Sequence, residues 1–362
     1  MGTVLVGRTD GGMGAVQAIS RAKHLVRHLA ANAYSYSPGY LQALRGRVAI
    51  LTYHRVVRHE DLPRQYIQPG MYVTTETFEK HAKLLQDQFD VISFPALLRM
   101  WDEQTWDARR RYCVITFDDG WLDNYTQAFP ILKCHGIPAS IFLPTAFVGT
   151  NDWFWPEKAA WVYRQYAAKS ESKKQQSLAA LEREDLRTGK ISRGLLEGGI
   201  DALIEGCKAF ELEQIERLVS RWLDMLDVRL PVERQVINWD EARVMSAAGI
   251  TFGSHSVNHA ILTKLKPQEV WQEIKDSWKA LTQHQVNSVP VFCYPNGDWS
   301  TDIGQAVKAA GYRAAITTEF GYEGPAPAHQ FGLKRINVHD RISSTENLFA
   351  FHLAGYNNGK WR

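Results

Sequence analysis

Short apolar runs alternate with amphipathic segments along most of the chain. Seven runs are rich in β-branched or aromatic residues and are apolar nearly throughout, a pattern typical of strands covered on both faces. Turn or polar residues bound each run, as expected for short buried strands. The predicted strands span residues 48–54, 113–119, 139–145, 250–256, 289–295, 312–318 and 333–338.

Segments with helical periodicity lie between these runs. The spacing predicts helices over residues 75–89, 238–248, 267–281 and 302–310, two of which end before a glycine. Regular alternation of strand and helix favours a parallel sheet closed into a barrel. The predicted fold class is therefore α/β, an irregular seven-stranded (β/α) barrel. In such barrels the active site lies at the C-terminal ends of the strands.

The alternation of strand and helix stops between residues 151 and 236. A later part of this stretch, ending near Leu226, has helical periodicity and enough apolar surface to pack. We interpret the stretch as a helical insertion on a barrel loop. The predicted organisation is a basic helical extension over residues 1–47, a barrel in two parts over residues 48–150 and 237–345, the insertion over residues 151–236, and a C-terminal tail over residues 346–362.

The composition is that of a globular protein, with 45% hydrophobic and 22% charged residues. A net charge of +3 is too small to predict a nucleic-acid partner. No acidic residue occurs between Asp10 and Glu60, where basic residues accumulate. A basic helix that contacts an anionic membrane through residues 14–47 is one hypothesis, and a helix that packs on the barrel is the favoured alternative. Without a secretory signal pattern, we expect a cytoplasmic protein, with membrane association under the first hypothesis.

Two adjacent carboxylates, Asp118 and Asp119, end the run Cys113-Val-Ile-Thr-Phe-Asp-Asp-Gly120. Consecutive residues of a regular strand point to opposite faces, but a strand end followed by glycine lets both side chains turn toward one cavity. Two ionised carboxylates repel at short range unless a cation lies between them. The pair indicates either a metal ligand with a free base beside it or, more commonly, two turn or helix-cap aspartates.

Two histidines four residues apart, His255 and His259, follow the fourth run. This gap would place two imidazoles on one face of a helical turn, a usual way to offer a metal two nitrogen ligands. Asp119, His255 and His259, called the metal triad below, would leave an open coordination position for water. Zinc suits such a mixed set, although cobalt, nickel or ferrous iron could occupy the same site. A site of this kind makes a nucleophile from water at neutral pH.

Three segments resemble the motifs of the polysaccharide deacetylase family, also called NodB-homology or carbohydrate esterase family 4 enzymes. Thr116-Phe-Asp-Asp-Gly120 is similar to the first motif, His255-Ser-Val-Asn-His259 to the second, and Phe292-Cys-Tyr-Pro-Asn-Gly297 to a variant of the third. The likeness extends over most of the predicted barrel and excludes the insertion. It implies a metal-dependent hydrolase that removes N-acetyl groups from an amino-sugar-containing glycan or glycan precursor.

The resemblance also implies a role for each matching residue. Asp118 would be the general base, and the metal triad would bind the divalent ion. The third motif would meet the substrate through Tyr294, Pro295 and Asn296. The backbone N–H of Asn296 would then hold the developing oxyanion.

The chain departs from the family at the general acid. Much of the family carries this histidine on the last strand, but the last run here ends in Leu333-Lys-Arg-Ile-Asn-Val-His339, with no clear match. Tyr53-His54 on the first run resembles the members that look circularly permuted. First and last strands are neighbours in a closed barrel, so a moved strand keeps its side chain in the same cavity. We therefore assign the acid role to His54, with His339 as the runner-up.

The third motif departs from the family as well, because Cys293 stands where an arginine is often found. The charge that would keep Asp118 ionised is then missing at this position. Arg335, on the last run, is the candidate that could replace it, from its position alone.

The sequence leaves two alternative functions open. One is a non-catalytic carbohydrate-binding protein on the same barrel, and the other is an amidohydrolase that acts on a non-sugar C–N bond. Trp153, Phe154 and Trp155, at the start of the insertion, could stack on sugar rings under the deacetylase and binding hypotheses alike.

Overall fold

The computed structural model describes residues 26–34, 39–63, 67–68, 70–177 and 198–356. Residues 1–25 and 35–38 of the predicted N-terminal extension lie outside the described residues. The same holds for residues 178–197 of the predicted insertion and for residues 357–362 of the predicted tail.

Seven parallel strands within the described residues close into a barrel. The strands of the described chain are β1 (Arg47–Tyr53), β2 (Arg55–Val57), β3 (Tyr72–Thr74), β4 (Asp90–Val91), β5 (Arg111–Phe117), β6 (Ala139–Leu143), β7 (Thr251–Ser254), β8 (Ser288–Cys293), β9 (Ala314–Phe320) and β10 (Leu333–Asn337). The barrel strands pair in the order β1-β10-β9-β8-β7-β6-β5, and β1 pairs with β5 to complete the ring. Strand β4 adds to β5, and β2 and β3 form a separate two-stranded sheet. The predicted seven-stranded barrel is confirmed.

Helices lie between most successive strands of the barrel, and further helices precede β1 and follow β10. They are α1 (Gly39–Ala43), α2 (Thr75–Gln88), α3 (Phe94–Glu103), α4 (Phe129–His135), α5 (Trp155–Ala167), α6 (Gly199–Cys207), α7 (Leu212–Leu226), α8 (Trp239–Ala247), α9 (Pro267–Gln283), α10 (Thr301–Ala309), α11 (Asp340–Ser343) and α12 (Glu346–Leu353). Residues 26–34 and 171–177 are helical as well. Among the described helices, none has the length and apolar character needed to cross a membrane.

The strands bury both of their faces, as their continuous apolar character predicts. Alternate residues such as Ile50, Val114 and Val291 share one buried cluster with Phe94 and Leu97 of α3. The intervening residues of β1 and β5 belong to a second cluster, which packs against the surrounding helices, and those of β8 belong to a third. This alternation with a period of two residues decides which side chains at a strand end face the barrel axis.

The stretch between β6 and β7 contains helices with a core of their own. Ile215, Val219 and Trp222 recur at helical spacing along α7 and pack against Val162 of α5. A helical character was predicted for this stretch, and the boundaries of the insertion at residues 151 and 236 stay a prediction.

Residues 346–353, which we assigned to a C-terminal tail, form the buried helix α12. Phe349 of α12 stacks on His81 of α2, with ring centroids 3.7 Å apart. His81 Nε2 donates to the carbonyl oxygen of Ser343 at 2.6 Å, and its Nδ1 accepts from the Tyr53 hydroxyl at 3.1 Å. The end of the described chain is therefore part of the packing around the barrel.

Candidate active site

His54 and Asp118 lie side by side at the C-terminal ends of two adjacent strands. The parallel register pairs Tyr53 of β1 with Phe117 of β5, so the next residue of each strand meets its counterpart. His54 Nε2 lies 4.0 Å from Asp118 Oδ2. Both residues continue the inward-facing positions of their strands, which places them at one mouth of the barrel.

Asp118 is buried and forms a two-point ion pair with Arg335 of β10. Arg335 Nη1 and Nη2 donate to the two carboxylate oxygens, each at 2.8 Å. Arg335 Nε donates to the carbonyl oxygen of Thr317 at 2.6 Å, which fixes the guanidinium plane. Burial alone would raise the pKa of Asp118, but the guanidinium charge holds this pKa below its usual value. The structure thus brings together Asp118 and Arg335, the pair predicted from the sequence.

Asp119 turns toward the two histidines through a left-handed backbone. Its φ is 71°, and that of Gly120 is 64°. A Cβ atom on Gly120 would lie 2.4 Å from a methyl carbon of Leu143, so this turn requires glycine. Asp119 Oδ1 lies 3.4 Å from His255 Nε2 and 3.2 Å from His259 Nε2. The three residues of the metal triad therefore face one point.

The donor atoms of the metal triad fit a divalent ion. Asp119 Oδ1 is buried and has no hydrogen-bond partner among the described residues. His255 Nδ1 donates to the carbonyl oxygen of Cys293 at 2.8 Å, which fixes the ring and turns Nε2 toward Asp119. Ligands about 2.1 Å from a tetrahedral ion lie about 3.4 Å from each other, close to the observed spacing.

The two histidines do not share a helical turn, so this part of the sequence prediction was wrong. Residues 255–261 form a loop that follows β7. Ser256 (φ 65°) and His259 (φ 54°) both have a left-handed backbone. These two reversals, rather than helical periodicity, bring the imidazoles within 4.8 Å of each other, measured between ring centroids.

Trp121 holds the second oxygen of Asp119. The indole Nε1 donates to Asp119 Oδ2 at 3.0 Å, and the side chain is buried. The guanidinium of Arg55 lies over the indole ring, 4.6 Å from its centroid. Arg55 Nε in turn donates to Asp123 Oδ2 at 2.7 Å. Sequence reasoning missed these residues, although Trp121 and Asp123 lie within four residues of Asp119.

The third-motif turn contributes one backbone group to the site and one side chain to the core. Tyr294 is buried, and its hydroxyl donates to the carbonyl oxygen of Phe331 at 2.9 Å, so this side chain packs in the core, and the substrate contact predicted for the residue stays a prediction. Pro295 is buried, and Asn296 has a φ of 60°. In the described chain the backbone N–H of Asn296 donates to no acceptor. This N–H remains available for the predicted role.

His54 has the position of a proton donor, and His339 lacks the matching contact. Burial lowers the pKa of His54, and the nearby carboxylates of Asp119 and Asp118 oppose this shift only in part. His339 precedes α11, and burial lowers its pKa to about 4. Within the described residues it makes no hydrogen bond or ion pair with Asp118. The assignment to a circularly permuted type stays a prediction.

The start of the insertion packs beside the metal triad. Trp153 and Phe154 are buried, so the prediction that they stack on sugars was wrong. The Phe154 ring lies 5.3 Å from that of His259, while Trp155 is partly exposed and lines a cavity of about 300 Å³ that reaches His259. Glu157, in the first turn of α5, was not predicted to belong to the site. Burial, and then the nearby Asp119 charge, raise its pKa to about 7.

Comparison with known proteins identifies the family of this chain. The sequence profile of the polysaccharide deacetylase family matches residues 106–188 and 215–315, more than half of the chain. The chain belongs to the polysaccharide deacetylase family. It is therefore a hydrolase of the deacetylase type, and the family predicted from its motifs is confirmed.

Individual relatives of this deacetylase are distant in sequence. The Bacillus subtilis (strain 168) protein YxkH is 21% identical over 301 residues, which cover 83% of this chain and 74% of YxkH. The Streptococcus pyogenes deacetylase PplD, solved in complex with acetate, has a TM-score of 0.54 at 18% identity and covers 84% of this chain and 97% of its own. BC0361, a polysaccharide deacetylase from Bacillus cereus, has a TM-score of 0.53 at 16% identity, with coverages of 85% and 69%. The two solved structures share the fold of this chain.

Proposed function

We propose that this deacetylase removes the acetyl group from an N-acetylated amino sugar in a glycan or glycan precursor, with the help of a divalent metal ion. The observation that carries the proposal is the convergence of the metal triad on one point beside the buried Asp118–Arg335 pair. A bound ion would supply a Lewis acid for the attacking water and for the amide carbonyl. One carboxylate and two imidazoles suit zinc first, and cobalt, nickel or ferrous iron second.

The side chains around the triad supply the proton transfers. Asp118 accepts a proton from the attacking water, and the ion pair with Arg335 keeps it ionised for that task. As the new C–O bond forms, the backbone N–H of Asn296 donates to the carbonyl oxygen, where negative charge develops. The C–N bond then breaks, and His54 gives a proton to the departing nitrogen. The products are acetate and a free amino sugar.

Acetate release from N-acetylglucosamine oligomers, together with metal analysis, tests this proposal. We expect about one divalent ion per chain and acetate release that falls about 10²–10⁴-fold in D118N, the usual contribution of a general base. D107N is the matched control, since Asp107 precedes β5, at the opposite end of this strand from Asp118, and pairs with the exposed Arg109. Bound metal and sugar without acetate would favour the carbohydrate-binding alternative. Release from linear non-sugar amides alone would favour the amidohydrolase alternative.

We also propose peripheral membrane contact through the N-terminal basic region, of which residues 26–34 are described as a helix. Val26 and Leu29 are 48% and 60% exposed, whereas Ala31 packs against Leu348 and Phe351. Flotation with anionic vesicles should carry the wild-type chain and lose the V26D/L29D variant. Equal flotation of both would contradict this contact. The cytoplasmic location stays a prediction.

A further inference from the structure

The loop between the two metal-binding histidines has an unusual backbone. Ser256 and His259 both have positive φ values, a region that non-glycine residues rarely adopt. Such a conformation persists only when surrounding contacts determine it. The question is therefore which contacts hold residues 256–259 in place.

A buried carboxylate, Glu273 of α9, provides the most direct contact. The backbone N–H groups of Val257 and Asn258 both donate to Glu273 Oε2, at 2.8 and 2.9 Å. The side-chain amide of Asn258 donates to Glu273 Oε1 at 2.6 Å. Glu273 is only 8% exposed, so these bonds are shielded from water. Hydrogen bonds to an ionised acceptor are stronger than neutral ones.

The same face of α9 reaches the loop a second time, one turn further on. Ser254 Oγ donates to Ser277 Oγ at 2.6 Å and accepts from the backbone N–H of Ser256 at 3.2 Å. On the opposite side, the carbonyl oxygens of Ser256 and Val257 accept from backbone N–H groups of the loop after β6. Helix α9 thus contacts the chain on either side of His255, and Glu273 is the charged member of these contacts.

We propose that Glu273 is a positioning residue of the metal triad. Its carboxylate fixes Val257 and Asn258, and through them sets the positions of the His255 and His259 rings relative to Asp119. Glu273 touches neither the metal position nor the substrate, and it acts only through the loop. This inference rests on the proposed metal site.

The test measures metal affinity rather than activity. Zinc dissociation constants are obtained by competition with a chelator for the wild type, E273A, E273Q and two controls. E273A leaves two partly buried backbone N–H groups without their acceptor, and we expect zinc affinity to fall about 10–100-fold, as for other groups that orient metal ligands. E273Q keeps one oxygen for both N–H groups, and a rotation of the Asn258 amide satisfies the other contact. The zinc dissociation constant of E273Q should stay within about 5-fold of the wild-type value, because replacing a charged acceptor by a neutral one costs less than removing the acceptor.

Two controls on α9 separate positioning from a general loss of stability. V270A removes buried volume that packs in one cluster with Ile274 of the same helix and with Leu262, which follows the loop, and E269Q changes an exposed carboxylate whose partner is the Lys266 backbone N–H. Both should bind zinc like the wild type. A second measurement uses the metal-free protein: hydrogen exchange at the amides of Val257 and Asn258 should become at least about 10-fold faster in E273A, by the loss of their acceptor.

Each outcome has a defined meaning for the proposal. Wild-type affinity in E273A, or an equal loss in V270A, would overturn the role of Glu273 while leaving the proposed function in place. Unchanged hydrogen exchange at the amides of Val257 and Asn258 in E273A would also overturn the role of Glu273. A wild-type chain that binds no zinc would overturn both the metal site and this inference.

Discussion

The ion pair between Arg335 and Asp118 gives the sharpest test of the proposed chemistry. The R335M variant replaces the guanidinium by an apolar side chain and leaves Asp118 in a site that is 2% exposed. The two charges are joined by two hydrogen bonds of 2.8 Å. Removing one partner of such a buried pair typically costs about 3–5 kcal/mol, because the other charge stays buried without compensation.

The R335M substitution also alters the pKa of Asp118. A neighbouring arginine lowers the pKa of an aspartate, so the loss of Arg335 raises the pKa of Asp118. Asp118 must be ionised to accept a proton, and a raised pKa keeps it protonated up to a higher pH. We therefore expect the acidic limb of the kcat/KM profile to move to higher pH. The rate should fall more at pH 5.5 than at pH 8.5.

The pH dependence of stability provides a second readout with a defined sign. In the wild type the lowered pKa of Asp118 contributes stability above the unfolded pKa of about 3.9, and this contribution is lost as the pH falls through the folded value. R335M should remove it, so urea unfolding should differ most between wild type and variant at neutral pH and least in acid. The double variant D118N/R335M should recover part of the lost stability.

K334M serves as the control, because Lys334 is a half-exposed neighbour on the same strand, with Nζ 3.4 Å from Glu319. Surface pairs of this kind contribute about 0–1 kcal/mol, and the acidic limb should not move. An R335M variant with an unchanged acidic limb would refute the assignment of Arg335 as the partner that keeps Asp118 ionised.

Three further predictions concern neighbouring residues. H54A should lower kcat about 10²–10⁴-fold for amino sugars and much less for anilide substrates, whose nitrogen needs less help from an acid; equal losses would move the role elsewhere. W121F, which removes the donor to Asp119 Oδ2, should weaken zinc binding about 10-fold in chelator competition, and an unchanged constant would contradict a positioning role. Burial lowers the pKa of His81 to about 3, so the unfolded state binds more protons below pH 6.5 and stability is lost as the pH falls. Between pH 7.5 and 5.5 the wild type should lose about 1.4 kcal/mol more than H81Q in urea unfolding, and parallel losses would argue against this cause.

The barrel could be predicted from sequence because its strands are hydrophobic nearly throughout. Each predicted run overlaps one strand of the ring, and most ends differ by one or two residues. The position of His54 beside Asp118 followed from the same signal, since parallel strands align their C-terminal ends. Short elements were missed: β2, β3 and β4 span two or three residues each and carry no periodic pattern.

The direction of each side chain at the third motif can be predicted from the sequence. Val291 and Cys293 belong to the inward-facing cluster of β8, so Phe292 and Tyr294 must point outward, into the helix layer. A period of two residues therefore excludes the Tyr294 side chain from the barrel mouth. The left-handed residues of the histidine loop and the contacts of Glu273 had no such signal, because they depend on tertiary contacts with a helix that follows the loop.

The same period explains how this chain keeps an ionised base with a cysteine at position 293. Cys293 and Arg335 both occupy inward-facing positions, on β8 and β10, and the cysteine sulfur lies within 4.8 Å of both a carboxylate oxygen of Asp118 and a ring nitrogen of His255. A small thiol there leaves the space through which the guanidinium of β10 reaches Asp118 across the barrel. β10 is held against β1, and β1 against β5, so the ladders that close the barrel also set the charge of the base. A cavity-forming change in those ladders, such as I336A at the pair that Ile336 of β10 forms with Leu51 of β1, should therefore move the acidic limb of the rate profile under conditions where the barrel is still folded.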